Sequence, residues 1–267
     1  MKIAIFDSGI GGMTVLHHAR RLLPGEDFIF YADTAHVPYG EKPKDEVQNY
    51  VLEAADFLTA RHLKALVIAC NTATSIAIND LRKKYDFPVL GIEPAVKPAV
   101  MESEKKRKKV LVMATRLTLK EEKFHHLVKR IDKHDIVDGL PLPGLVTLAE
   151  RFDFDPKDVL PYLREQLRPF DVAQYGTVVL GCTHFPFFKD SIVRLFPVGT
   201  DIIDGGYGTA KNLKRVLGNR GEIGGGEGRV TFYRSGVKVE DAGLLRTYRR
   251  LLKRLDMLDE SDSRRNS

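Results

Sequence analysis

Cys70 and Cys182 are the chain's whole thiol supply, and each stands where an apolar run gives out, in ALVIACNTA and TVVLGCTHF. A thiol at a helix start has its pKa drawn from about 8.5 toward neutrality, so it can serve as thiolate base or thiol acid near pH 7. Two thiols facing one tetrahedral carbon from opposite sides suit stereoinversion. One removes a proton, and the other returns a proton to the far face of the planar intermediate. No CxxC or Cys/His spacing of a zinc site accompanies them, and a reducing compartment argues against a structural disulfide. The rival reading of the pair is a reversible redox switch or a binding protein.

Other polar loops stand at the ends of apolar runs. Asp7-Ser8-Gly9-Ile10-Gly11-Gly12 permits close backbone approach, and its Ser8 and following amides can hold an anion at a helix N-terminus. The loop lacks both the GxGxxG spacing and the Lys-Ser/Thr pair of nucleotide-binding loops. A second polar loop, Asp33 to Gly40, carries Pro38, Tyr39 and Gly40 and is suited to shape a pocket rim. Asn71 and Thr72 follow the first cysteine, and Thr183 and His184 follow the second. Asp7 and His184 are placed to relay protons or tune the thiols, since imidazole titrates near neutrality.

The elements that must position these residues read as α/β. Short β-branched and aliphatic runs, expected as strands over 3–6, 28–32, 66–69, 89–92, 110–114, 136–140, 178–181 and 202–203, alternate with amphipathic stretches. Helices are expected over 13–23, 44–61, 74–85, 120–131, 145–152 and 156–167. An internal echo pairs KIAIFDS with KVLVMAT and ALVIACNTA with TVVLGCTHF, which predicts two similar lobes. Each would be a mostly parallel sheet flanked by helices, with strand ends converging on a shared cleft. The prolines of EPAVKPAV, over 93–100, interrupt the pattern as a crossover between lobes would. The expected division is a first lobe of residues 1–93 and 205–258, a second of 94–204, and a loose tail over 259–267.

The chain has 267 residues, of which 43% are hydrophobic, enough for a substantial core and too apolar for disorder. Its net charge of +6 raises the question of a nucleic-acid partner. The basic residues, however, spread over helix surfaces, the run at 105–109 and the C-terminal tail, and no RNA- or DNA-binding motif accompanies them. No apolar stretch approaches the roughly 20 residues that cross a bilayer, and the N-terminus turns polar too soon for a secretory signal. A cytoplasmic protein without membrane contact is expected.

From DSGIGG through DTAHVPYG, ACNTAT and GIEPAVKP to GCTHFP, nearly the whole chain resembles the glutamate racemases of the aspartate/glutamate racemase family. The resemblance implies interconversion of L- and D-glutamate for peptidoglycan without pyridoxal phosphate, metal or nucleotide, in a homodimer, by two thiols in a cleft between α/β lobes. It gives catalytic roles to Cys70, Cys182, Asp7 and His184, with Glu150 as a further acidic helper. Substrate contacts fall to Asp7, Ser8, Pro38, Tyr39, Gly40, Asn71, Thr72, Thr183 and His184. Aspartate racemase is the nearest alternative, but its second cysteine motif usually reads Cys-Thr-Glu, where this chain has Cys182-Thr183-His184. Ala32, His36, Phe185 and Gly205 depart from the commoner glutamate racemase pattern, which bears on loop packing more than on the reaction.

Overall fold

A computed structural model describes residues 1–265 of the chain, with side chains as far as Asp262. The runs KIAIFD, FIFYA and YGTVVL are apolar on both alternating faces, as strands covered by helices from both sides require, and all three become buried parallel strands. Ten strands form two sheets: β1 (Lys2–Asp7), β2 (Phe28–Ala32), β3 (Leu63–Ile68), β4 (Val89–Gly91), β5 (Lys109–Ala114), β6 (Val137–Pro141), β7 (Tyr175–Leu180), β8 (Asp201–Asp204), β9 (Val230–Arg234) and β10 (Val237–Lys238). The first sheet runs β10-β9-β2-β1-β3-β4 and the second β6-β5-β7-β8. Every pairing is parallel except that of β10 with β9. The order β2-β1-β3-β4 is thus repeated as β6-β5-β7-β8, so the echo between the two halves is architectural.

Register carries this repetition to the strand ends. Phe6 of β1 lies beside Ile68 of β3, so Ser8 and Cys70 leave neighbouring strands at one carboxyl edge. In the second sheet Met113 of β5 lies beside Leu180 of β7, so Thr115 and Cys182 leave the equivalent edge. One buried cluster runs from Ile3, Ile5 and Phe30 of the first sheet to Leu111, Met113 and Val178 of the second, which fixes the two edges relative to one another.

Several elements differ from expectation. The crossover at 93–100 is mostly helix, Val96–Lys106, because Pro98 falls in its first turn, where no backbone N–H is needed. The single helix expected over 120–131 is two, Arg116–Lys120 and Glu122–Ile131, parted by an extended Glu121. The chain returns to the first lobe through helix Gly206–Asn219, which packs on helix Met13–Leu22, and then adds β9 beside β2, a strand the apolar pattern of VTFYR marks only weakly. The loose tail from 259 is instead helical as far as Arg265, within Ala242–Arg265. Asp259 bonds His17 and Arg21, and Asp262 pairs with Lys189. Residues 266 and 267 of that expectation lie outside the described residues. No helix among the described residues is long and apolar enough to cross a membrane.

Lys64 is the one charged residue inside β3, and it is buried. Its ammonium lies 2.6 Å from Glu26 Oε2 and donates to the carbonyls of Glu222 and Gly224, while Glu26 Oε1 accepts from Gly224 N–H at 2.6 Å. This tie holds the C-terminal connection against the first sheet. Removing one member strands a buried charge, so Lys64→Met is expected to cost about 3–5 kcal/mol by urea denaturation. Adding Glu26→Gln should recover part of that loss; a double variant less stable than the single would overturn the account.

Candidate active site

Cys70 caps helix Asn71–Lys84, and its sulfur accepts from Ala73 N–H at 3.4 Å. Ser8 Oγ stands 3.5 Å from the same sulfur. Cys182 is set differently. No regular helix starts there; the chain turns through the 3-10 segment Phe185–Phe188, which sinks three phenylalanines into the core, and His184 Nδ1 lies 3.7 Å from the Cys182 sulfur. The expectation of matching helix starts therefore holds at Cys70 alone.

Both thiols line one cavity between the two carboxyl edges, together with Ser8, Pro38, Tyr39, Gly40, Asn71, Thr72, Thr183 and His184. The sequence-predicted residues thus converge. Asp7 and Glu150 stand one layer behind the wall. Asp7 is fully buried, its carboxylate taken by Gly12 N–H at 3.0 Å and the Thr183 hydroxyl at 3.1 and 3.2 Å, and it is not one of the residues that line the cavity. Glu150, at the end of helix Pro143–Glu150, accepts from Ile10 N–H at 2.7 Å and meets His184 Nε2 at 2.6 Å. A carboxylate, an imidazole and a thiol are thereby strung in series: Glu150, His184, Cys182.

Thr115 and Val146 also line the cavity, and sequence reasoning missed them. Thr72, Thr115 and Thr118 close a ring of hydroxyls at 3.0, 3.1 and 2.9 Å across the two lobes. The signal for Thr115 was present: in the echo of KIAIFDS with KVLVMAT it occupies the place of Ser8. Asn71 Oδ1 is buried without a hydrogen-bond partner, an acceptor left over at the wall.

The glycine loop explains how the edges come so close. A Cβ at Gly9 would overlap the Glu150 carboxylate, and one at Gly11 would overlap the Thr183 hydroxyl and the His184 ring. A Cβ at Gly12 would lie 2.6 Å from Asp7 Cβ. None of these glycines adopts positive φ, so the requirement is space rather than backbone freedom.

Closeness governs the electrostatics. Burial pushes Asp7 up to about 6, against the opposing pull of His184. Burial also pushes the Cys70 thiol up to about 12, and the Asp7 carboxylate adds to the rise; the bonds from Ser8 and Ala73 N–H only moderate it. The expected lowering of this thiol is therefore overturned: desolvation outweighs the helix start. For His184 burial alone would lower the value, but its hydrogen bonds to Cys182 and Glu150 prevail and hold the imidazole well above the usual histidine range. Cys70 is thus a neutral thiol, while Cys182 faces an imidazolium.

Among the described residues, one group of side chains away from the cavity could hold a metal ion. His17, His18 and Asp259 bring three ligand atoms within 4.8 Å, but none lines the cavity, and Arg21 already holds Asp259 Oδ2 at 3.0 Å. The cluster ties two helices together.

The sequence profile described as Asp/Glu/hydantoin racemase matches residues 14–211, which span the glycine-loop helix, both cysteines and the crossover. The chain belongs to that racemase family. It is similar to glutamate racemase 2 of Bacillus subtilis, 59% identical over 98% of each chain. With the glutamate racemase of Halothermothrix orenii it shares 55% identity over 97% of this chain and 100% of that one. Among solved structures, the Francisella tularensis glutamate racemase in complex with D-glutamate matches with a TM-score of 0.79 at 27% identity, over 94% of this chain and 93% of that one. The aligned family core holds the whole cavity wall except Ser8, which precedes it.

Asp7 yields a test with a defined sign. Its folded value, about 6, lies above the ordinary 3.8, so its contribution to stability is present below about pH 4 and lost as pH rises through 6. Relative to an Asp7→Asn variant, the parent should lose up to about 3 kcal/mol between pH 4 and pH 7 in urea denaturation. Parallel stability profiles for the two proteins would show that Asp7 is not desolvated.

Proposed function

We propose that the chain interconverts L- and D-glutamate by a two-thiol acid/base mechanism that needs no cofactor, supplying D-glutamate for peptidoglycan. The observation that carries this reading is the meeting of the protein's two cysteines in one cavity, delivered by equivalent strands of two repeated sheets. The substrate assignment rests on the relatives named glutamate racemase, which the chain matches almost end to end.

The different partners of the two thiols distinguish the half-reactions. With an imidazolium beside it, Cys182 is the base that takes the α-proton of L-glutamate, and the neutral Cys70 thiol delivers a proton to the opposite face. D-glutamate runs the same steps in reverse. Glu150 orients His184 and balances its charge, as a carboxylate does behind a catalytic imidazole. Asp7 acts on Cys70 through its field and keeps the glycine loop and Thr183 in register. Ser8, Asn71, Thr72, Thr115 and Thr183 offer hydroxyls and an amide to the substrate's carboxylates and amino group, while Pro38, Tyr39 and Gly40 form the opposing wall. Donors fixed where charge develops contribute about 2.7–4 kcal/mol each to such a transition state.

The cavity holds about 20 Å³, scarcely more than the roughly 10–15 Å³ that houses one water. A dicarboxylic amino acid needs more room than this, so the cavity must widen to admit substrate. Closure then excludes water from the carbanion.

Cys70→Ala and Cys182→Ala should each abolish racemisation in both directions, since each direction needs one thiolate and one thiol, and the parent's activity should survive chelation. In deuterated solvent, early D-product formed from L-glutamate should carry deuterium at Cα while residual L-substrate carries almost none. Equal early labelling of both enantiomers would mean that one base serves both faces, and the two-thiol reading would fall.

A further inference from the structure

The loop that carries Tyr39 and Gly40 is held onto the second lobe by more than packing. Gly40 sits so near Thr115 that a Cβ there would come within 2.5 Å of the threonine Cβ. On one flank of this contact Arg116 Nε faces Glu41 Oε1 at 3.5 Å. On the other, Lys44 Nζ lies 2.9 Å from Glu121 Oε2, with the lysine half exposed and the carboxylate nearly buried. The hydrogen bond to Glu121 holds Lys44 above its usual value. Glu121 reaches this position because it is extended between two helices, the break that the helical pattern of the sequence conceals.

The two pairs cross the cleft with opposite polarity. In one the first lobe contributes the anion, in the other the cation, so a shifted closure would set like charges together. All four side chains stand outside the cavity lining. We propose that Glu41, Arg116, Lys44 and Glu121 are positioning residues, a clasp of two ion pairs that closes the Tyr39–Gly40 loop over substrate and parts at every turnover. The Glu41–Arg116 pair is open to solvent on both sides and the Lys44–Glu121 pair on the lysine side, so each is worth less than a fully buried pair. That weakness suits a clasp: it biases the loaded enzyme toward closure without trapping product.

This inference rests on the racemase reading and is tested separately from it. The isosteric variant Glu41→Gln/Glu121→Gln, assayed with glutamate in the coupled D-amino-acid readout, should show KM raised about threefold to tenfold, the range two such pairs can supply, with kcat changed less than twofold. Added salt should raise the parent's KM and leave that of the variant almost unmoved. Lys44→Glu alone should raise KM, and Lys44→Glu combined with Glu121→Lys should restore it, a rescue that a merely structural role would not produce. The salt series on the parent keeps the question answerable if a variant fails to fold. A parent that racemises glutamate with a salt-independent KM, or a charge-swapped chain no better than the single reversal, overturns the clasp and leaves the reaction standing. A parent without turnover removes the reaction itself.

Discussion

Thr183, His184 and Glu150 of one lobe rest directly on the backbone of Gly9 and Gly11 in the other, and this contact tolerates no side chain at either position. The rest of the site depends on it. Because Gly9 and Gly11 are bare, the Thr183 hydroxyl reaches Asp7, and the Glu150 carboxylate reaches both Ile10 N–H and His184. Because the two edges meet, Asp7, His184 and both thiols lose their water, and every charge in the group is felt by the others at low effective dielectric. A side chain at Gly11 would separate the lobes and return the site to solvent, weakening both the burial and the hydrogen bonds that set its proton affinities.

The partners of the two thiols differ although the architecture is repeated. Strand order and strand ends make Cys70 and Cys182 equivalent; their immediate partners do not. Cys70 has a hydroxyl, a backbone amide and a nearby carboxylate, an environment that favours the neutral thiol. Cys182 has an imidazole, held in turn by a carboxylate. In the proposed reaction, asymmetry laid over a duplicated frame gives each thiol its own set of partners for its half of the proton transfer.

Much of this was legible in the sequence, for physical reasons that also mark where legibility ends. Apolar runs closing on Asp7, Cys70 and Cys182 announced parallel strands, because strands buried on both faces cannot hide their composition. The convergence of Pro38, Tyr39 and Gly40 with the cysteines followed from the rule that strand ends carry sites. The rise of the Cys70 thiol was not readable, since a helix start is a local feature while desolvation depends on how tightly the opposite lobe closes. Nor was the break at Glu121, whose helix formers on both sides favour continuity until the pull of Lys44 across the cleft is known. β9 escaped notice because it is only half-buried at the sheet's far side, so its residues carry no strong apolar signature.

Interaction strength is graded from the centre of the cleft outward. At the centre the lobes are joined by Thr183 to Asp7 and Ile10 to Glu150, bonds involving buried or half-buried carboxylates that would be costly to leave unmet. Around the cavity the joins are neutral hydroxyls, Thr72 with Thr115 and Thr118, which water or a substrate carboxylate can replace at little cost. At the outer flanks they are ion pairs in partial contact with solvent. Opening therefore costs least at the outer flanks and most at the glycine loop, so the lobes should part by rotation about the loop rather than by uniform separation. Such a rotation exposes the wall formed by Tyr39, Gly40 and Thr115 while leaving Glu150, His184 and Cys182 assembled, and the base that meets an incoming substrate is already in place before the cleft closes on it.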